Sequence, residues 1–342
     1  MRRDRNPLNP NHAPGELSLV ERIRIRTAGQ TLSAVRLGIG DDCALLRVKP
    51  DEEIAITTDL SIAERHFRLD IHPPEAIGHR TLARGLSDLA AMGARPVAAF
   101  LSLGLPTRLA SRIGRKPSWT DRFFDGLLAL AAQYNTPVAG GDLAQSPIAA
   151  ADIVLVGAVP RGKALLRSGA RPGDLLYVTG ALGGSAAGLD HLRNRVRKAQ
   201  KASSRRKDLK DLLAPHLWPQ PRISQGLSLQ QKQLATAAID ISDGLSTDLE
   251  HICIESEVAA EVDSASLPIS TGASLRQALH GGEDYELLFS AHPGARIPER
   301  IAGVAVTRIG RILKKRADRP LMVLKTETGL RPLQRRGWEH FA

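Results

Sequence analysis

Short apolar segments alternate with longer amphipathic segments along most of the chain, which is typical of a protein that mixes strands and helices. Residues 1–15 lack this pattern and predict a flexible arm. The first amphipathic segment predicts a helix from Glu16 to about Arg26. Alternating and β-branched residues then predict three short strands, at residues 34–37, 44–48 and 54–57.

Longer elements follow. Between residues 74 and 92 the apolar positions lie three to five apart, which predicts a helix that ends near Gly93. Further strands are predicted at residues 96–105, 137–139, 152–159, 174–178, 285–290 and 305–312. Further helices are predicted at residues 119–134 and 246–256, and the segment GALGGSAAGL is predicted to open another. Because strands and helices do not alternate strictly, we expect an α/β protein of the α+β type rather than a doubly wound sheet.

One segment in the middle of the chain has the composition of a linker or a surface loop. Residues 160–174, PRGKALLRSGARPGD, are rich in Gly, Pro and Arg. A chain of 342 residues is long enough to form two domains. We therefore predict an N-terminal domain at residues 16–160 and a C-terminal domain at residues 161–342.

The composition excludes several classes of protein. With two cysteines, Cys43 and Cys253, the chain has no disulfide framework and no Cys-based zinc site, which suits the cytoplasm. The basic N-terminus is not followed by the apolar segment of a signal peptide. No apolar run approaches the ~20 residues of a membrane span. We therefore expect a cytoplasmic protein that does not associate with a membrane.

The net charge of +11 raises the question of a nucleic-acid partner. Residues 191–211 contain nine Lys or Arg and two Asp, so they carry seven of the eleven net positive charges. No aromatic residue is interleaved with this run, and no nucleic-acid-binding signature surrounds it. We expect a solvated basic helix or loop, or a surface that attracts phosphates, and no nucleic-acid partner.

Carboxylates in short Gly- or Ser-flanked segments carry the strongest chemical signal. They are Asp41, Asp42, Asp59, Asp88, Asp142, Asp240, Asp243, Glu283 and Asp284. Carboxylates that are brought together repel each other and resist desolvation, and hard divalent cations offset both costs. Mg²⁺ is commonly shared between protein carboxylates and substrate phosphates. The sequence therefore predicts a magnesium-dependent enzyme that handles phosphates.

Two nucleotide-binding motifs are matched only in part. Residues 157–164, GAVPRGKA, resemble a P-loop, but Ala164 stands where Ser or Thr would bind Mg²⁺, and Pro160 lacks a backbone N–H. Residues 38–43, GIGDDC, begin like a dinucleotide fingerprint but lack its third glycine. We expect neither a P-loop nor a Rossmann site, and we interpret GIGDDC as a tight turn that presents two carboxylates.

Several candidate site residues have a structural explanation as well. His66 can be an ordinary structural histidine, and Asp88 can be a solvated residue of a helix. Ser242 or Asp243 can cap the helix that follows, which does not exclude metal ligation.

Two hydroxyls and a carboxylate suited to a hard cation stand at a predicted strand end: Thr57, Thr58 and Asp59.

Taken together, these segments resemble the thiamine-monophosphate kinase family, from about Gly15 to the C-terminus. The order and spacing of eight segments carry the resemblance. They are GIGDDCALL (38–46), TTDLSIAERHF (57–67), LSDLAAMGARP (86–96), GGD (140–142), LLRSGARPGD (165–174), IDISDGLSTDL (239–249), GGEDYELLF (281–289) and GWEHFA (337–342).

The resemblance implies an ATP-dependent kinase that converts thiamine monophosphate to thiamine diphosphate by direct, in-line, Mg-assisted phosphoryl transfer. It implies two α/β domains, the second an α/β sandwich, and no P-loop. It also implies a homodimer, in which the mixed sheets of two N-terminal domains pair into a β-barrel.

The resemblance also assigns roles to residues. Several Mg²⁺ ions would be bound by Asp42, Thr57, Thr58, Asp59, Asp88, Asp142, Asp240 and Asp243. ATP would contact Gly141, Asp142, Arg167 and Ser242. Thiamine monophosphate would contact His66, Glu283 and Trp338. The catalytic residues would be Asp42, Asp243 and Arg167.

The chain departs from the family pattern at two places. Residues 143–147, LAQSP, replace a segment of the Thr-Thr-Arg-Gly-Pro type, and residues 63–65, AER, replace Glu-Gly-Val. These departures bear on affinity and substrate detail more than on the reaction class.

Two alternatives remain at this point. One is another ATP-dependent enzyme of the same superfamily, a phosphorylating synthetase with a different acceptor. A selenophosphate synthetase would need a reactive Cys or selenocysteine before Cys43, and the chain has none. The other is a nucleic-acid-binding protein, which would leave the carboxylates unexplained.

Overall fold

A computed structural model of the protein describes residues 16–27, 34–39, 42–111, 116–198 and 206–340. The predicted arm at residues 1–15, Asp41, and residues 199–205 of the basic run lie outside this part. The chain divides into two compact units. The first comprises Met1–Arg47, Thr58–Leu82 and Val97–Val156, and the second comprises Val48–Thr57, Ala83–Pro96 and Gly157–Ala342. The predicted domain boundary near residue 160 stays a prediction.

The described part of the chain contains both helices and strands throughout, so the mixed α+β character is confirmed. The helices are α1 Glu16–Thr27, α2 Pro74–Ala91, α3 Thr107–Ala110, α4 Trp119–Gln133, α5 Gly184–Lys198, α6 Arg206–Leu217, α7 Ile223–Gln231, α8 Leu245–Glu255 and α9 Leu275–His280. The strands are β1 Val35–Leu37, β2 Leu45–Leu46, β3 Glu52–Ile62, β4 Arg95–Leu105, β5 Val138–Gln145, β6 Ala150–Pro160, β7 Leu175–Thr179, β8 Ala237–Asp240, β9 Val258–Asp263, β10 Leu287–Ala291, β11 Arg300–Ile301, β12 Val304–Lys314, β13 Met322–Thr326 and β14 Gly329–Pro332. None of the described helices is both long and apolar enough to cross a lipid bilayer.

One sheet has four strands in the order β3-β6-β4-β5, with β4 and β5 parallel. Strands β3 and β5 are therefore its two edges, and the described residues do not close it into a barrel. Its buried side chains are mainly aliphatic, as the apolar pattern of β4 and β6 predicts.

A second sheet has eight strands in the order β14-β13-β9-β12-β7-β10-β8, with β11 paired to β12. All its described pairs are antiparallel except β13 with β9. Its core is made by strands β7, β8, β9, β10 and β12 together with α8, whose apolar residues Leu245, Leu249 and Ile252 are fully buried. This arrangement holds β8, which leads into one acidic loop, beside β10, which follows the other.

Most predicted elements are present, but two acidic motifs lie inside strands rather than at their ends. Strand β3 continues through Thr57, Thr58 and Asp59, because the alternating pattern extends to Ile62. Strand β5 continues through Gly140–Asp142, because it pairs with β4 as far as Gln145. The prediction that residues 157–164 are not a P-loop is confirmed, since Gly157 lies in β6 and no helix follows before α5.

Helices α2 and α4 touch through a glycine. A Cβ atom on Gly126 of α4 would lie 1.8 Å from the carbonyl oxygen of Glu75 in α2. The same two helices are joined by a paired contact of Arg122 with Glu75, at 2.7 Å and 2.9 Å. The absence of a side chain at position 126 therefore sets how closely these helices approach.

We predict that Gly126→Ala lowers the free energy of unfolding by about 1–3 kcal/mol, because the added methyl group must push two backbones apart. Urea unfolding measures the change. The control is Gly294→Ala in an exposed turn, where the nearest atom to a Cβ is 3.2 Å away on the ring of His292. This control should stay within about 0.5 kcal/mol of the original protein. Equal stability of both variants would contradict the close helix contact.

Candidate active site

In the first unit, three of the predicted site residues line one cavity. Asp42 lies in the bend between β1 and β2, and Gly141 and Asp142 lie on β5. Together with apolar side chains they surround a cavity of about 570 Å³. The apolar part of the wall includes Val20, Ile23, Phe100, Phe124 and Val138. Apolar walls with a few polar groups, in a volume of this size, are typical of a small-molecule site.

Helix α1 forms part of that wall and is attached to α4 by charge. Arg22 contacts the carboxylate of Asp121 at 2.9 Å, and Arg26 contacts Asp125. Asp121 also completes a capping box with Ser118 at the start of α4. The carboxylate of Asp121 therefore caps the N-terminus of α4 and also anchors α1. This anchoring places Val20 and Ile23 at the cavity.

Strand β3 divides its predicted metal ligands between two faces. Because side chains alternate along a strand, Thr57 and Asp59 share one face, on which both are half-buried, and Thr58 is exposed on the other. After the strand, the Nδ1 atom of His66 lies 3.0 Å from the backbone nitrogen of Ile62 and accepts its hydrogen bond. This contact orients the imidazole of His66 locally.

In the second unit, hydroxyl groups orient two of the predicted carboxylates. The Thr57 hydroxyl donates to the carboxylate of Asp88. The buried Ser87 hydroxyl donates to Asp240 at 2.7 Å, across 153 residues of sequence. The two neighbouring residues of α2 therefore reach β3 and the end of β8. Asp88 is not simply a solvated residue of a helix.

The loop at residues 241–244, which we call the SDG loop, follows β8 and precedes α8. The buried carboxylate of Asp248 accepts hydrogen bonds from the backbone N–H groups of Asp243 and Gly244, at 3.2 Å and 3.0 Å. Asp248 therefore holds the SDG loop, and neither Ser242 nor Asp243 is the N-cap of α8, which is Gly244. At Gly244, the residue before α8, no side-chain cap is present.

The acids around the SDG loop oppose each other's ionisation. Burial raises the pKa of Asp248 well above its usual range, and the charges of Asp240 and Asp243 raise it further. Burial also raises the pKa of Asp243, with a contribution from Glu283, while His251, Arg84 and His340 oppose the rise. Every side-chain oxygen in this group that could bind a metal ion belongs to a carboxylate or a hydroxyl. Mg²⁺ prefers oxygen ligands of these kinds.

The loop at residues 281–286, which we call the GGED loop, carries three acids with different tasks. Asp284 accepts hydrogen bonds from the backbone N–H groups of Gly183 and Ser185 at the start of α5, the latter at 3.0 Å. Buried Glu286 binds Arg222 through both oxygens and accepts the hydroxyl of Thr179 at 2.7 Å. Two of the three acids therefore anchor the loop.

The third acid of the GGED loop, Glu283, is bound to the SDG loop through its backbone. Its N–H donates to the carbonyl of Ser242 at 2.7 Å. The C-terminal segment reaches the same loop, since the N–H of Trp338 donates to the carbonyl of Asp243 at 3.0 Å. The Trp338 ring is 48% exposed and packs edge-on against His340, with 5.6 Å between ring centres. The structure therefore brings together Ser242, Asp243, Glu283 and Trp338.

The backbone of Arg167 lies at the opposite end of α8 from this group. Its carbonyl accepts the hydroxyl of Ser256, the residue that follows the C-terminal end of α8. The SDG loop precedes the N-terminal end of that helix, which is 11 residues long. A helix of that length spans about 16 Å. The role of Arg167 stays a prediction.

Within the described residues, no three or more His, Cys, Asp or Glu side chains lie together as a ready metal site. This observation leaves the predicted metal ligands untested. Mg²⁺ is usually held by one or two carboxylates together with substrate phosphates. The carboxylates of Asp240, Asp243 and Asp248, which repel each other, suit a Mg²⁺ ion that is also bound by substrate phosphates.

Comparisons with known proteins show the family to which the chain belongs. Residues 40–165 match the family model of the AIR synthase related protein N-terminal domain, and residues 171–319 match that of its C-terminal domain. The thiamine-monophosphate kinase of Escherichia coli (strain K12) is 42% identical over 308 residues, which are 88% of each chain. The chain belongs to the thiamine-monophosphate kinase family.

Two solved structures of this family are similar along nearly their whole length. The thiamine-monophosphate kinase of Stenotrophomonas maltophilia K279a is 37% identical, with a TM-score of 0.74, and the match covers 90% of this chain and 95% of that one. AaThiL complexed with AMPPCP and TMP is 28% identical, with a TM-score of 0.73, and the match covers 96% and 97%. The two-domain α+β fold is therefore that of thiamine-monophosphate kinases.

Sequence reasoning missed several residues that shape the candidate site. Ser87 orients Asp240, Asp248 holds the SDG loop, and Arg222 anchors the GGED loop through Glu286. Asp248 carried a detectable signal, because it lies five residues after Asp243 in the first turn of α8. Ser87 and Arg222 carried none, since their partners are 153 and 64 residues away.

We predict that Asp284 makes the stability of this kinase-family chain depend on pH. Desolvation raises the pKa of Asp284 to about 7 from 3.8, and Glu286 and Glu283 add to the rise. The folded state then holds this proton more tightly than the unfolded state does. Its stabilising contribution is therefore complete below about pH 4 and is lost as the pH rises through 7.

The measurement is urea unfolding of the original chain and Asp284→Asn between pH 4.5 and 7.5. The stability of the original chain relative to this variant should fall with rising pH, by at most about 1.4 kcal/mol per pH unit. Asp318→Asn, at an exposed surface ion pair with Arg316, serves as the control. Parallel pH profiles for the original chain and Asp284→Asn would contradict the raised pKa.

Proposed function

We propose that this chain transfers the γ-phosphoryl group of ATP to thiamine monophosphate and so forms thiamine diphosphate. The observation that carries the proposal is the joining of Glu283 and Trp338 to the SDG loop by backbone hydrogen bonds. By resemblance, Glu283 and Trp338 bind the acceptor, Ser242 binds ATP, and Asp243 binds metal. One rigid group of loops therefore carries residues for both substrates.

The related structure of AaThiL supports this assignment of substrates. That protein is complexed with AMPPCP, an analogue of ATP, and with TMP, and this chain matches 97% of its length. We infer that the same pair of ligands is used here. The first-unit cavity, with Asp42, Gly141 and Asp142 on its wall, has the apolar lining that suits the base of a nucleotide.

We propose that Mg²⁺ ions are held by the oxygen ligands named from the resemblance. In the first unit these are Asp42, Thr58, Asp59 and Asp142, and in the second Thr57, Asp88, Asp240 and Asp243. When bound, Mg²⁺ neutralises phosphate charge and helps to align the transferring group. The hydroxyls of Thr57 and Ser87 fix the carboxylates of Asp88 and Asp240 in advance, which reduces the cost of ordering them on binding.

The acceptor needs little chemical activation. A phosphate monoester is already anionic near neutral pH, so its oxygen attacks without a strong general base. The tasks that remain are positioning and charge neutralisation. We propose that the exposed ring of Trp338 stacks on the flat rings of thiamine, that the carboxylate of Glu283 pairs with its positive charge or amino group, and that His66 contacts its phosphate.

The experiment is a coupled assay with ATP, Mg²⁺ and thiamine monophosphate, with unphosphorylated thiamine as the control acceptor. We predict thiamine diphosphate from the monophosphate alone. Asp243→Asn and Asp42→Asn should each lower kcat by about 10² or more, because charge neutralisation at the transferring phosphates is lost. The matched control is Asp318→Asn, at a surface ion pair with Arg316. This variant should retain activity.

Two results would contradict different parts of the proposal. One is ATP consumption that does not depend on thiamine monophosphate, which would indicate a phosphorylating synthetase with another acceptor. The other is near-normal kcat in both Asp42→Asn and Asp243→Asn, which would remove the metal-site assignment while leaving the reaction intact.

We also propose that the chain forms a homodimer through strand β3 and that the two four-stranded sheets pair into a barrel. Strand β3 is an edge strand, and its Ile54, Ile56 and Leu60 are 55%, 65% and 49% exposed on one face. A long edge strand with an uncovered apolar face favours association with another chain. The resemblance to the family identifies that chain as a second copy.

We predict that Ile56→Lys shifts the protein from dimer to monomer, because a buried ammonium group in the paired face would be strongly unfavourable. Sedimentation velocity at micromolar concentration measures the change. Ile254→Lys is the control, since Ile254 is 51% exposed on α8 and lies outside β3. A monomeric original chain, or equal dimerisation of both variants, would contradict the role of β3.

A further inference from the structure

A buried histidine lies behind the carboxylate of Glu283 and takes no part in the site as described so far. His216, at the end of α6, is 1% exposed. Its Nδ1 atom lies 3.0 Å from the hydroxyl oxygen of Ser185 and 3.9 Å from an Oε atom of Glu283. A buried polar ring usually has a partner that accounts for its burial. Here the same nitrogen faces both a hydroxyl and the candidate acceptor-binding acid.

The packing of α5 against α6 puts this imidazole in position. A Cβ atom on Gly188 of α5 would lie 2.9 Å from the Cβ of His216, and one on Gly184 would lie 2.9 Å from the Cβ of Pro215. Two glycines four residues apart therefore let α6 approach α5 closely. Ser185, between them, is held by its N–H, which donates to Asp284 at 3.0 Å.

The backbone of Glu283 is fixed independently of His216. Its φ angle of 67° is in the left-handed region, which is uncommon for a residue with a side chain. The hydrogen bonds from Glu283 N to Ser242 O and from Tyr285 N to Ile241 O hold this conformation. The backbone therefore fixes the position from which the Glu283 side chain extends. The direction of the carboxylate depends on the side chains that it contacts.

We propose that His216 is a positioning residue that directs the carboxylate of Glu283 toward the acceptor. The inference rests on the proposed function and names a specificity determinant for the same site. Ser185 holds the imidazole, the imidazole faces the carboxylate, and the carboxylate binds thiamine monophosphate. His216 does not touch the substrate. Its removal therefore weakens binding of the acceptor and leaves binding of ATP unchanged.

The test uses steady-state kinetics on the full chain, with the KM for thiamine monophosphate and the KM for ATP measured separately. We expect His216→Leu to raise the KM for thiamine monophosphate by about tenfold, which corresponds to about 1.4 kcal/mol of binding free energy. The KM for ATP should change less than about twofold, since the altered contact does not reach the nucleotide. His216→Asn, whose amide can replace Nδ1, should restore most of the affinity.

A double-mutant cycle makes the test specific. Glu283→Gln alone should raise the KM for the acceptor, and adding His216→Leu to it should have little further effect, because His216 acts through Glu283. The control His292→Asn changes an exposed histidine in a turn and should leave both KM values unchanged. If His216→Leu does not fold, Ser185→Ala alone and in the Glu283→Gln background gives the same comparison, because Ser185 holds the imidazole of His216.

Three results overturn the inference alone, provided that the original chain makes thiamine diphosphate. They are an unchanged KM for the acceptor in His216→Leu, an equal rise in both KM values, and additive effects of His216→Leu and Glu283→Gln. If the original chain makes no thiamine diphosphate, the proposed function fails first and the inference falls with it.

Discussion

The burial of carboxylates close to one another is the constraint on which the rest of the second unit depends. Asp240 and Asp248 are buried, Asp243 lies beside them, and their charges raise the pKa of Asp248. A group of this kind costs free energy of folding unless hydrogen bonds and opposite charges offset it. Ser87, the backbone N–H groups of residues 243 and 244, and the cations near Asp243 provide part of that offset.

The acids are divided between those that support the loops and those that we propose bind ligands. Asp248, Asp284 and Glu286 are engaged by backbone N–H groups or by Arg222, so their main task is to hold the SDG and GGED loops. Glu283 and Asp243 then project from backbones that those contacts have fixed. The C-terminal segment joins the same group through Trp338. We infer that this division keeps the SDG and GGED loops in register, so that the residues proposed to bind the two substrates stay close together.

Local periodicity was enough to predict much of the fold. Helix α2 and strands β4 and β6 were predicted within about two residues of their observed ends, because each has a strong apolar pattern. Strand β3 was predicted too short, since its hydroxyl and carboxyl residues interrupt the apolar signal without interrupting the hydrogen bonding. Because the strand is longer, Thr58 lies on the opposite face of β3 from Thr57 and Asp59. No sequence motif indicates this placement on opposite faces.

The acidic motifs were visible in the sequence, but the residues that support them were not. The contact of Ser87 with Asp240 and that of Glu286 with Arg222 join residues far apart in the chain. Such pairs depend on tertiary packing, and spacing carries no information about them. For the same reason His216 had no sequence signal, because its position depends on the approach of α6 to two glycines of α5.

The most direct test of this account is whether Mg²⁺ and nucleotide together relieve the repulsion among the acids. Thermal unfolding of the original chain and Asp243→Asn would be followed with AMPPCP, in Mg²⁺ and then in excess EDTA. The account predicts that AMPPCP raises the Tm of the original chain only when Mg²⁺ is present, and that Asp243→Asn loses most of this rise. An equal rise of Tm in EDTA, or an undiminished Mg-dependent rise in Asp243→Asn, would contradict it.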